Sequence, residues 1–232
     1  MTLEEAIAKI KPLDHNAMEI AQKRWDSIAK PLHSLGKLET LLIQIAGITG
    51  NAEVDLSRRG LIAMCADNGV VEEGVTQTGQ EVTAIVAENF LKYDTSVGVM
   101  CKQNHAEIFP VDMGMVTDTK VRTDHKIAYG TQNMTKGPAM TREQAVKGLE
   151  AGIDMVRELN DKGYRILATG EMGIGNTTTS SAVASVLLKQ PVEEMTGRGA
   201  GLTSEGLVRK INAIKKAIAL NLSLIHISEP TR

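Results

Sequence analysis

The chain has 232 residues, 42% of them hydrophobic, enough to bury a sizeable core as one large domain or one domain with a small appendage. Its 26 basic and 28 acidic side chains leave a formal charge of -2, so no basic field draws it to nucleic acid or to an anionic membrane surface. Aromatic content of 3% leaves few rings for stacking, while 21 glycines point to tight turns and backbone contacts with bound groups.

The opening "MTLEEAIAKI" lacks the basic start and apolar run of a signal peptide, and no window reaches the length of a membrane span, so a cytoplasmic protein is expected. Thr2 with Glu5 forms a capping-box pair, and Leu3, Ile7 and Ile10 recur at helical spacing, predicting a short first helix. A second helix is predicted from about residue 14 towards 28. "KPLHSLGKLETLLIQIAGITG" then gives a Pro-containing turn and a third helix ending at glycine. At residue 61 the pattern changes to "LIAMCADNGVV", a continuous apolar run stopping at Asp-Asn-Gly, as a buried parallel strand does; residues 61–66 are the predicted strand.

After a polar loop through Gly79, "EVTAIVAENFLKYDTSVGVMCKQN" carries apolar residues at three and four spacing and predicts one or two helices. "AEIFPVDMGM" reads as a strand with Asp112 at its carboxyl end. Thr141 with Gln144 caps a helix running to about residue 159, "YRILATG" supplies a further strand, and "TTTSSAVASVLL" a helix. Repeated strand, loop and helix argues for an α/β fold with a mainly parallel sheet, whose ligands bind beyond the carboxyl ends of the strands. Asp67, Asp112 and Glu171 fall at such ends. Cys65 and Cys101 sit in apolar contexts outside any metal-spaced cluster and read as buried thiols.

The stretch "GEMGIGNTTTS" (170–180) places Gly170, Gly173 and Gly175 before a helix whose first turn carries Asn176, Thr177, Thr178 and Thr179. Unpaired N–H groups and hydroxyls converge there, and a helix N-terminus favours an anion. The run matches neither GxxxxGK[ST] nor GxGxxG, since Thr178 stands where the third glycine would be, so neither a nucleoside triphosphate nor a dinucleotide is indicated. An ordinary capped strand-to-helix turn remains the alternative. A second cluster, "TGRGAGL" (196–202), offers Arg198 as the fixed charge that the first bend lacks, or else is a turn with a solvated arginine. Glu171 reads either as a general base or ribose-hydroxyl acceptor, or as a carboxylate bound to local N–H groups.

Seven segments, "KPLHSLGKLE", "ADNGVVEEGVTQTGQEVT", "NFLKYDTSVGVM", "VDMGM", "GTQNMTKGPAMT", "GEMGIGNTTTSSAV" and "TGRGAGL", occur in the order and near the spacing found in nicotinate-nucleotide:dimethylbenzimidazole phosphoribosyltransferases. The chain resembles that family over about residues 24–220. The resemblance implies a doubly wound α/β domain with a small helical N-terminal subdomain: residues 1–50 helical, 51–222 the α/β nucleotide-binding domain, 223–232 an unmatched tail. It implies an enzyme of cobalamin synthesis, cytoplasmic and homodimeric, that converts nicotinate mononucleotide and 5,6-dimethylbenzimidazole to α-ribazole 5′-phosphate and nicotinate. No metal or redox cofactor is implied. Carried onto matching positions, Gly173, Gly175, Asn176, Thr177, Thr178, Gly199 and Gly201 form the cradle of the nucleotide phosphate, and Glu171 is the carboxylate beside the ribose. The aromatic base lies over Met172, near the loop holding Asp67, Thr76 and Gln80.

The sequence departs from the family at Leu32 and His33, at Asn68 where "DHG" is common, and at Ile85 where glutamine is frequent. The family's catalytic base lies in a C-terminal glutamate-bearing glycine motif that this chain does not contain; instead it ends "LSLIHISEPTR". A C-terminally truncated member is therefore expected. The alternative is a catalytically impaired fragment or nucleotide-binding module that keeps the cradle and performs no transfer.

Overall fold

Strand β1 (Arg59–Ala66) is the centre of a three-stranded parallel sheet in the order β2-β1-β3, flanked by β2 (Ala106–Gly114) and β3 (Ile166–Met172). Its residues are apolar on both sides because both faces are covered. Ala63 and Cys65 face Ala84, Ala87 and Phe90 of helix α4 (Glu81–Lys92), on the side where α5 (Ser96–Gln103) also packs. On the opposite face Ile62 and Val111 meet Met155 and Leu159 of α6 (Arg142–Asp161). The crossover from β1 to β2 thus covers one face and the crossover to β3 the other, the doubly wound α/β arrangement. The computed structural model describes residues 1–228.

The pairing register sets the site. Cys65 lies opposite Met172, so β1 and β3 end side by side and their following loops leave from the same edge of the sheet. Beyond β1 a 3₁₀ turn (Gly69–Glu73) follows; beyond β3 comes α7 (Asn176–Leu188), then the short α8 (Val192–Met195) and α9 (Ser204–Ser228). These pieces form a second core away from the sheet, in which Val70 and Val75 pack with Ala182, Val192, Ile214 and Ala217. That core holds α9 against α7, and so fixes where the α9 side chains point.

The chain start is divided. Helix α1 (Leu3–Ala8), closed by the Thr2–Glu5 capping box, lies on α6, where the Met1 amino group meets Asp154 at 3.0 Å and Leu3 N–H donates to Glu150. Helices α2 (His15–Ser27) and α3 (Lys37–Thr49) pair with each other, α2 capped by Asp14, and the buried Lys30–Glu39 ion pair (2.9 Å) ties the connecting turn to α3. Of the tail at 223–232, residues 223–228 continue α9 and 229–232 lie outside the described residues.

Leu159 is fully buried between α6 and the sheet, whereas Leu187 on α7 is 75% exposed. Leu159→Ala is expected to lower the unfolding free energy by about 2–5 kcal/mol in urea denaturation, from lost transfer energy and the cavity left behind. Leu187→Ala should stay within about 0.5 kcal/mol of the parent chain. Equal effects would contradict this placement of the core.

Candidate functional site

The glycine bend that leaves β3 can be built only from glycine at two places. Gly175 has φ +89°, and a Cβ there would lie 2.9 Å from Val71 Cγ2; at Gly173 a Cβ would lie 2.1 Å from the Ala66 carbonyl oxygen. The bend therefore lies directly against the end of β1 and turns sharply into α7. Gly175 has no side chain to cap α7, and the first N–H groups of the helix donate locally, Asn176 to the Gly173 carbonyl, Thr177 to Asn176 Oδ1 and Thr178 to the Gly175 carbonyl.

The second glycine segment, between α8 and α9, folds back onto the first. A Cβ on Gly199 would lie 3.0 Å from Thr177 Oγ1 and 3.5 Å from Lys210 Nζ, so the two bends touch. Between them is a cleft of about 360 Å³ lined by Gly173, Gly175, Asn176, Thr177, Gly199 and Ala200, with Met172, Val75, Thr76 and Leu202 supplying less polar wall. The backbone N–H groups of Gly175, Gly199 and Ala200 have no partner among the described residues.

Lys210 supplies the cation. It projects from α9 with 1% of its surface exposed, and Nζ donates to Thr177 Oγ1 at 2.7 Å and to the Gly197 carbonyl at 3.0 Å. An ammonium has three protons to donate, and the third has no acceptor among the described residues. Burial pushes its pKa below the ordinary lysine range, and among the described residues no carboxylate stands beside it to hold it up. A buried ammonium lined by hydroxyl, carbonyl and glycine, with no carboxylate partner among the described residues, has the chemistry to accept an anion. Arg198 also lines the cleft, but its guanidinium is engaged by the Leu202 carbonyl of its own loop (2.8 Å) and by Ser204 Oγ at the start of α9 (3.2 Å).

Glu171 is exposed at the rim. Both its carboxylate oxygens accept from Asn176 Nδ2, at 2.6 and 2.7 Å, and Asn176 Oδ1 in turn accepts from the Thr177 N–H at 2.7 Å. Asn176 thereby links the carboxylate to the first turn of α7. Of the other sequence-predicted residues, Thr178 is fully buried behind that turn, and the Gly201 carbonyl beside the cleft accepts from Gln77 Nε2. Met172 and Thr76 line the cleft, whereas Asp67 and Gln80 do not. Asp67 is buried, which raises its pKa, and its Oδ2 accepts from Val116 N–H; Gln80 donates to the Asn68 carbonyl. No cluster of three or more His, Cys, Asp or Glu side chains able to hold a metal occurs among the described residues.

Arg198, in the sequence either a fixed charge or a solvated turn residue, is bonded to Leu202 and Ser204, and the buried cation at the bends is Lys210, which the glycine motifs do not contain. The signal was present in the burial period of α9: Gly206, Lys210, Ile214 and Ala217 share its inward face, so a lysine occupies an apolar stripe.

Comparison with known proteins matches residues 10–230 to a family model described as phosphoribosyltransferase. A nicotinate-nucleotide–dimethylbenzimidazole phosphoribosyltransferase of Ruminiclostridium cellulolyticum is 51% identical over 95% of this chain and 63% of its own length. One of the same description from Clostridium tetani is 47% identical over 94% of this chain and 61% of its own. Among solved structures, CobT from Thermus thermophilus superposes with a TM-score of 0.79 at 36% identity, covering 88% of this chain and 62% of that one. The chain thus spans a little over three-fifths of the length of these relatives.

The depressed pKa of Lys210 has a thermodynamic consequence of definite sign. Above the folded-state value the unfolded chain holds the extra proton, so Lys210 makes stability rise with pH until the unfolded lysine titrates near about 10.4. Cys65 acts oppositely: burial pushes its thiol up to about 12, so stability falls once the unfolded thiol ionises, above roughly 8.5. The difference between the parent chain and Lys210→Met isolates the first contribution. In chemical denaturation across that window, the stability of the parent relative to the variant should rise with pH; a flat difference would mean that Lys210 is not held in a desolvated site.

Proposed function

Since the chain belongs to the phosphoribosyltransferase family matched over residues 10–230, we propose that its glycine cleft binds nicotinate mononucleotide by the 5′-phosphate. We propose further that the protein transfers the phosphoribosyl group to 5,6-dimethylbenzimidazole, giving α-ribazole 5′-phosphate and nicotinate in cobalamin biosynthesis. The observation that carries this reading is the buried Lys210 ammonium at the junction of two glycine bends, with no carboxylate partner among the described residues. A phosphate monoester dianion supplies the missing charge, accepts the third ammonium proton, and is reached by the Gly175, Gly199 and Ala200 N–H groups and the Thr177 hydroxyl.

With the phosphate anchored there, the ribose extends towards Glu171, whose carboxylate accepts from its hydroxyls in place of Asn176 Nδ2. The benzimidazole lies over Met172 beside Thr76. One ring nitrogen forms a bond to C1′ as the C1′–N bond to nicotinate breaks, with inversion; nicotinate departs with that electron pair and the azole proton passes to a carboxylate. Holding the two reactants in line lowers the entropic part of the barrier. Nucleotide binding and transfer are distinct steps, and nucleotide binding alone is the second reading. The same reading makes the protein a cytoplasmic homodimer; no helix among the described residues is long and apolar enough to cross a membrane.

Titration calorimetry with nicotinate mononucleotide tests the site. Lys210→Met is expected to weaken binding about 10- to 100-fold, the range of one charge-assisted hydrogen bond; unchanged affinity would contradict the phosphate assignment. Nicotinate release on adding dimethylbenzimidazole separates the two readings. Release that slows in Glu171→Ala supports transfer with Glu171 at the ribose, whereas binding without release assigns binding alone.

A further inference from the structure

One residue of the glycine bend is gripped from two sides. Ile174 lies between Gly173 and Gly175 and lines the cleft. Its N–H donates to Thr83 Oγ1 at 3.0 Å, and its carbonyl accepts from Asn68 Nδ2 at 3.2 Å. Thr83 comes from α4 and is fully buried; Asn68 comes from the loop after β1. Asn68 is itself held, its Oδ1 accepting from Thr179 Oγ1 of α7 at 3.0 Å and its carbonyl from Gln80 Nε2 at 3.2 Å. The packing leaves no slack, since Cβ atoms at Gly173 and Gly175 would lie 3.1 Å from Asn68 Nδ2 and 3.2 Å from Asn68 Cβ.

A bend with glycine on both sides of one residue has many accessible conformations, and only a few aim the Gly175 N–H into the cleft. Satisfying both polar groups of Ile174 by side chains of separate elements selects one of them. It also withdraws the Ile174 carbonyl, an unfavourable neighbour for an anion, from the cleft. We propose that Thr83 and Asn68 are positioning residues for the phosphate: they touch no substrate, but preorganise the donors that do. The inference rests on the reading of the cleft as a monophosphate site. Preorganisation contributes to affinity by removing the ordering cost at binding, so its loss should fall on the phosphate and not on the nucleoside part.

The test compares nicotinate mononucleotide with nicotinate riboside, which lacks the phosphate, by calorimetry on the whole chain. Thr83→Val keeps the shape and removes the acceptor together with the hydroxyl's bond to buried Asp67; Thr83→Ser retains both; Asn68→Ala removes the grip on the carbonyl side and leaves the Thr83–Asp67 bond in place. Thr83→Val and Asn68→Ala are each expected to weaken mononucleotide binding about 5- to 10-fold, the scale of one hydrogen bond. Riboside binding should stay within about twofold and Thr83→Ser near the parent chain. Amide exchange across residues 173–178 should quicken in Thr83→Val while core amides of α6 are unchanged. If Thr83→Val does not fold, Asn68→Ala and the serine variant carry the comparison. Variants that bind mononucleotide like the parent, or lose both ligands in equal proportion, overturn the positioning role alone. A folded parent chain that binds no mononucleotide overturns the site and this role together.

Discussion

A lysine buried without a carboxylate partner among the described residues organises the glycine cleft of this molecule. Isolated in an apolar interior such a charge costs several kcal/mol, and the fold offsets part of that through the Thr177 hydroxyl and the Gly197 carbonyl. It leaves one proton of the ammonium unused beside glycine backbone that approaches closely because no Cβ intervenes. A protein selected for stability alone would place leucine or methionine at this point of α9, between Gly206 and Ile214 on the buried face. The position makes physical sense when an anion completes it.

The rest of the architecture serves to hold that lysine opposite the bend. The parallel sheet brings the ends of β1 and β3 together through the Cys65–Met172 register, and β3 feeds the glycines straight into α7. The second core, built from Val70, Val75, Ala182 and Ile214, docks α9 on α7 so that Lys210 reaches Thr177. Asn68 and Thr83 tie the bend to the central strand's loop and to α4. The loop after β1 and helix α4 therefore hold the tripeptide Gly173 to Gly175, while α9 meets the first turn of α7 just beyond it.

Most of the framework was legible because its signals are local. The Thr2–Glu5 and Thr141–Gln144 capping boxes and the Asp14 cap mark helix starts where the structure has them. The apolar runs of β1 and β2 ended where turn residues said they would. Strand β3 begins at Ile166 and not at Tyr164, because the Tyr164 ring is drawn into the core against Phe109, their centroids 5.2 Å apart, before pairing starts. In the site, the glycine and threonine cradle could be read from spacing, since it lies in one stretch. Lys210 could not be read that way, because its meaning depends on a helix packing from outside the motif. Arg198 drew attention by lying inside the glycine cluster, yet the loop's own carbonyl and a serine at the start of α9 engage it. Likewise Asp67 and Gln80, near the motif in sequence, have their side chains turned to Val116 and Asn68.

The measurement that bears most directly on the central claim is a nitrogen-15 NMR titration of the Lys210 side-chain Nζ, free and with nicotinate mononucleotide. The account predicts an amine that titrates below the ordinary lysine range in the free chain and moves to higher pH when the phosphate dianion is bound. An Nζ resonance that titrates like a surface lysine, or that does not respond to the nucleotide, would contradict it.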